Sequence, residues 1–164
     1  MLEPSRRLIG RTLSDIYGGP AWHGASLLHT VRAISPGAAR RRPGPGRNTI
    51  WELVLHLAYS RYRVLGRIGA APAARFPRPL ARDWWPRMPE KPGPSEWRAD
   101  LALLADYQAR LLDAVRRVPE ARLRRRRAGQ PRSVAHELLN VAVHDAYHTG
   151  QIRLLLRLGP GRRR

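Results

Sequence analysis

Cysteine is absent from this 164-residue chain. That excludes a disulfide framework and any thiolate metal site, and it leaves histidine and carboxylate as the side chains able to hold a metal. Long apolar runs are absent too: no stretch reaches the roughly 18 residues that a membrane-spanning helix needs. The opening Met1-Leu2-Glu3-Pro4-Ser5-Arg6-Arg7 lacks the apolar core and small-residue cleavage site of a secretory signal. A soluble, cytoplasmic protein without a membrane partner is therefore expected. Period-two alternation is missing, so no strand is expected. Lysine is nearly missing, with Lys91 alone, and the net charge of +19 is carried by arginine.

A basic excess of this size attracts nucleic acid or an anionic surface. Yet the arginines are dispersed, apart from runs at Arg40 to Arg42, Arg124 to Arg127 and Arg162 to Arg164. Their abundance beside proline, alanine and glycine fits a bias spread over the whole chain. Charge without a recognition motif is a poor guide to function, so nucleic acid is the weaker expectation.

Proline and glycine punctuate the chain at Ser35-Pro36-Gly37, at Pro43 to Gly46, across Pro72 to Pro94 and at Gly129-Gln130-Pro131. Four segments between them carry helical spacing. The first runs from Trp22 to Ile34, with Leu27, Leu28, Val31 and Ile34 as its stripe. The second starts at a cap on Asn48 or Thr49 and continues to Ile68. The third begins with Ser95 as N-cap and ends at Pro119. The fourth starts near Arg132-Ser133 and stops at Gly159-Pro160. A further short helix around Arg7 to Ile16 is a weaker signal. The expected fold is all-α: a four-helix bundle forming one domain over residues 1–164, with a long connection between helices two and three. Residues 1–20 and 159–164 are expected as flexible ends.

The densest chemistry lies in His144-Asp145-Ala146-Tyr147-His148-Thr149-Gly150-Gln151. Two histidines four apart share one face of a helix and can chelate one divalent ion. The spacing alone is weak. His56, on the apolar side of the second helix, strengthens it. Three neutral imidazoles with one open coordination position have the composition of a catalytic metal centre rather than a closed structural one. Plain helix residues bonded to water or backbone are the alternative. Imidazole suits several divalent metals, with zinc, nickel or iron as the candidates.

Helper residues follow from helix geometry. Gln151 lies one turn past His148 and is placed to hydrogen-bond an exogenous ligand. Glu52 lies one turn before His56; it either orients that imidazole, acts as a base, or is an ordinary first-turn glutamate favourable to the helix dipole. Trp22 and His23, in Ala21-Trp22-His23-Gly24, are candidates to border a pocket, together with Trp51 and Tyr59.

Three blocks resemble one known family: Ala21 to Gly24, Asn48 to Tyr59, and His144 to Ile152. The chain is similar, from about Trp22 to Leu156, to the DinB-like, damage-inducible metalloenzymes, which include thiol-dependent S-transferases of the mycothiol and bacillithiol systems. The resemblance implies a four-helix bundle holding a divalent metal on His56, His144 and His148. It also implies a small-molecule substrate such as a low-molecular-weight thiol, and a homodimer. Apolar Trp84 and Trp85 and the third helix are the expected dimer surface. The reaction expected is thiol transfer or hydrolysis. A basic helical module that binds nucleic acid or an acidic protein without catalysis is the rival.

Overall fold

The computed structural model describes residues 5–126, 128–129 and 131–159. Seven helices and one two-stranded sheet occur among them: α1 Ser5–Tyr17, α2 Leu27–Arg32, α3 Pro36–Arg40, α4 Ile50–Arg67, β1 Leu80–Arg82, β2 Trp85–Pro86, α5 Pro94–Arg117, α6 Glu120–Leu123 and α7 Val134–Leu158. The bundle is a ring of α1, α4, α5 and α7, each packed on two of the others. No helix of the described residues is long and apolar enough to cross a membrane.

The first bundle helix is α1, not the expected Trp22–Ile34. Ile9, Leu13 and Tyr17 recur four apart on α1 and are buried in the core. Its first amides are capped from afar: Ser5 N–H and Arg6 N–H donate to the Glu120 carboxylate at 2.7 and 3.3 Å. The Trp22–Ile34 segment shrinks to the six residues of α2. Gly24 takes φ 113°, which ends any helix entering from Trp22, and Ser26 caps a new one. Of the expected ends, residues 1–4 and 160–164 lie outside the described residues, as does Arg127 of the arginine run.

The other boundaries follow local chemistry. Thr49 and Glu52 form a reciprocal capping box at the head of α4. Ser133 caps α7, and Val118 before Pro119 ends α5. Helix α5 starts at Pro94 with Gly93 as N-cap; Ser95 instead bonds the Glu96 carboxylate. The long connection holds the antiparallel hairpin β1–β2, which no alternation announces because it is so short. That connection is pinned by Arg78, which donates to buried Asp100 at 2.8 Å, while Trp51 Nε1 donates to the same carboxylate at 2.8 Å.

A polar network crosses the apolar core. Fully buried Arg61 on α4 donates to Gln108 on α5 at 2.9 Å, to the Leu57 carbonyl at 3.0 Å and to Asp145 on α7. Gln108 in turn donates to the Leu13 carbonyl on α1 at 3.2 Å. One chain of hydrogen bonds thus joins all four bundle helices, one residue away from His144.

Candidate metal centre

The capping box starts α4 at a fixed residue, so His56 falls on the side of the helix facing α7. His144 and His148 meet it there. His56 Nε2 lies 3.0 Å from His144 Nε2, and His148 Nε2 lies 3.1 Å from the same atom. His56 is 8% exposed and His148 6%, while His144 is half-buried.

Outer partners fix the protonation. His56 Nδ1 lies 2.8 Å from the Trp84 carbonyl, and His148 Nδ1 lies 2.9 Å from Gln151 Oε1. Both oxygens only accept, so both Nδ1 atoms carry the proton. The two Nε2 lone pairs are then bare, and both point at His144 Nε2. A single proton there can satisfy only one of them. A cation shared by three lone pairs resolves the conflict, and outer partners on the far nitrogens are the usual companions of histidine ligands. The donor set therefore fits a divalent metal, and these three residues could hold one.

Burial keeps the cluster neutral. It pushes His144 down to about 3, helped by His148, His56 and Arg61. It lowers His56 against the pull of the Trp84 carbonyl, and lowers His148 against the Gln151 bond. At neutral pH the rings offer lone pairs without proton competition.

The hairpin reaches the centre through Trp84 and Trp85. Trp85 stacks on His56 at 4.2 Å and 9°. Trp84 adopts φ 64°, a conformation a bulky residue rarely takes. Its indole is held by Arg63 and Arg67, whose guanidinium carbons stand 4.7 and 5.0 Å from the ring centre. The strained turn aims its carbonyl at His56. A cavity of ≈ 260 Å³ opens beside His56 and His144, with Trp84 in its wall.

Other expected site residues sit differently. Gln151 bonds His148 Nδ1 through Oε1, which holds that ring. Glu52 receives the Thr49 N–H at 2.6 Å and pairs with Arg42 at 2.8 Å. The partner of His56 Nδ1 is the Trp84 carbonyl, so Glu52 acts as a cap. Trp22 is 98% exposed and His23 is exposed; neither lines the cavity. Trp51 is core, packed on Trp97. Tyr59 packs edge-on to Phe76 and Trp84, behind the wall rather than in it. The sequence reading missed Trp84 as a partner of His56, along with Arg61, Arg67, Arg132 and Glu137. A signal existed for some: His56, Ser60 and Val64 recur at helical spacing, as do Glu137, Val141 and His144.

Glu52 provides a pH test. Burial would raise its carboxyl, but Arg42 and the Thr49 amide outweigh that and hold it below the ordinary 4.5. A lowered folded pKa means stabilisation present above that ordinary value and lost as pH falls through the folded one. Glu52→Ala is expected to lower stability by about 1 kcal/mol at neutral pH, with the difference from wild type shrinking below pH 4.5, in denaturant titrations.

Residues 21–152 match the model of the DinB superfamily. The chain belongs to that superfamily. The match begins after α1 and includes all three histidines. No curated protein and no solved structure matches the chain significantly.

Proposed function

We propose that this member of the DinB superfamily is a metal-dependent enzyme that transfers the sulfur of a small thiol to an electrophile. The carrying observation is the meeting of three histidine Nε2 atoms, two with their protons fixed on Nδ1, beside an open cavity. A divalent cation in such a set supplies Lewis acidity, lowering the pKa of a coordinated thiol or water. Zinc, nickel and iron all suit three imidazoles.

The cavity favours thiol over water as nucleophile. Its one carboxylate among the described lining residues, Glu137, is ion-paired with Arg67 at 3.2 Å. Ser60 Oγ donates to its own helix, at the His56 carbonyl. Hydrolysis works best with a nearby base to take a proton from water. A thiol ionises far more readily than water and needs no such base. In the transfer, the thiolate sulfur bonds to an electrophilic carbon, the leaving group departs with the bonding pair, and the thiol proton passes to solvent. Protein purified without a metal-affinity tag should contain about one divalent ion per chain by elemental analysis. It should consume thiol against an alkyl halide in a chelator-sensitive way. Water-only turnover of esters, with no thiol consumption, would overturn the transfer reading.

Gln151→Ala provides a finer check. Loss of an outer partner typically weakens metal affinity 10–100-fold, and that range is expected in competition with a chromophoric chelator. Unchanged affinity would mean that His148 needs no orienting.

We also place a homodimer on α7 rather than on the expected surface. Trp84 and Trp85 are occupied at the metal centre, and α5 turns its apolar side to the core. Helix α7 is apolar on two sides. Leu139, Val143, Tyr147, Leu154 and Leu158 form an exposed stripe opposite its buried face. A second copy would cover it by two-fold pairing. Sedimentation should give twice the chain mass, and Val143→Asp should halve it. The cell compartment that fits an enzyme using a reduced thiol is the cytoplasm.

A further inference from the structure

The cavity beside the histidines is a trough with different chemistry at its two ends. On α4, His56, Ser60, Val64 and Arg67 line it from one helix face; on α7, Glu137, Val141 and His144 do the same. His56 meets His144 at one end, and Arg67 meets Glu137 at the other. The two helices therefore run antiparallel along the trough. At 1.5 Å per residue, Glu137 and His144 stand about 10 Å apart along the axis. Between the ends the lining is uncharged: Val64, Val141 and the Trp84 indole, with Ser60 and Asn140.

The far end is cationic. Glu137 is buried and neutralises one guanidinium, that of Arg67, which is also held against the Trp84 ring. Arg132, just ahead of α7 and at the same end, makes no ion pair among the described residues. Among the described residues Arg132 adds a positive charge there that no carboxylate pairs, inside a protein whose overall field draws anions. Arg132 is an exposed residue on the border of the cavity, and a guanidinium so placed is suited to a carboxylate, which it can grip through two N–H groups.

We propose that the trough binds an elongated small molecule with its thiol at the histidines, an uncharged middle, and a carboxylate at the far end held by Arg132. Arg67, fixed by Glu137 and Trp84, shapes that end. This rests on the thiol reading above and specifies its substrate class: a thiol carrying an anion about two helical turns from its sulfur.

Three thiols test it on cobalt-loaded protein, read by the visible absorption of the ion: mercaptooctanoate, mercaptooctanol and mercaptopropionate. The first two match the trough in length and differ in charge. The third is charged but too short to span it. Mercaptooctanoate should bind at least about tenfold more tightly than the alcohol, the margin of one charge-assisted hydrogen bond. Arg132→Gln should bring the two within about twofold, leaving mercaptopropionate affinity and the cobalt spectrum unchanged. Equal binding of the long acid and alcohol to wild type overturns the proposal, as does a preference that survives Arg132→Gln. Failure of cobalt to bind at all would sink the metal reading instead. Calorimetry with octanoate and octanol on the metal-free protein then decides the trough: an Arg132-dependent preference for octanoate upholds the anionic end, and no preference overturns it.

Discussion

Zinc at a thousand times its dissociation constant is expected to raise the melting temperature of the wild-type protein by about 8–16 °C and that of His148→Ala by no more than about 3–6 °C at the same concentration. The size follows from linkage. An ion that binds only the folded chain stabilises it by about 4 kcal/mol at that excess, and a domain of this length shifts about 2–4 °C per kcal/mol. The site exists only in the folded state because its ligands come from two helices, α4 and α7, with His56 and His144 88 positions apart in sequence. Losing one of three ligands should weaken affinity more than losing an outer partner does, so by over about 100-fold. At about 100-fold weaker affinity the same dose is only about ten times the variant's dissociation constant and stabilises it by about 1.4 kcal/mol, and any greater loss shrinks the shift further. Calorimetric scans with and without zinc on both proteins provide the check. Equal shifts in both would show that the ion binds elsewhere, with the exposed histidines His23, His29 and His136 as the first places to look.

The ligand triad was legible in the sequence because each element of it repeats with the helix period. His144 and His148 are four apart, and His56 sits on a helix whose start is written in Thr49-Ile50-Trp51-Glu52. Caps at Ser133 and the stop at Pro119 were legible for the same reason: they are local. Helix α1 was less so. Arg6, Arg7 and Arg11 crowd its short stripe, and only the packing of Ile9, Leu13 and Tyr17 against α5 and α7 makes it a bundle member. The Trp22 stretch shows the reverse error. Its apolar residues have the right spacing, but the positive φ of Gly24 cuts off the start of the segment ahead of them, and a glycine in sequence does not announce its dihedral.

What surrounds the histidines was less legible, for a different physical reason. The partner of His56 is a backbone carbonyl, which carries no residue signature; it depends on the left-handed turn at Trp84. The trough depends on antiparallel registry of α4 with α7, which pairs Arg67 with Glu137 across 70 positions of sequence. Long-range pairings of this kind follow from packing. The same holds for Arg61, which reads in sequence as one more arginine among many and is fully buried in the fold.

Arg61→Met alone is expected to destabilise the protein by about 3–5 kcal/mol, a large share of the stability of a typical domain. The substitution leaves the Asp145 carboxylate buried without its counter-charge, and Asp145 Oδ1 already lacks a hydrogen-bond partner among the described residues. It also strands Gln108 Oε1. The double variant Arg61→Met, Asp145→Leu should recover most of the loss, because an apolar pair of similar volume avoids the desolvation of two charges. Recovery should stop short by about 1–3 kcal/mol, the penalty for the Gln108 oxygen left without a donor. Denaturant titrations of the two single variants and the double give the coupling directly. Additive losses would show that Arg61 and Asp145 stabilise the fold independently. Metal affinity of the double variant carries a second answer. Asp145 neighbours His144 on α7, and Arg61 ties that turn to α4, the helix of His56. If the ion pair sets the registry of the two ligand-bearing helices, the double variant should regain stability yet bind zinc more weakly than wild type.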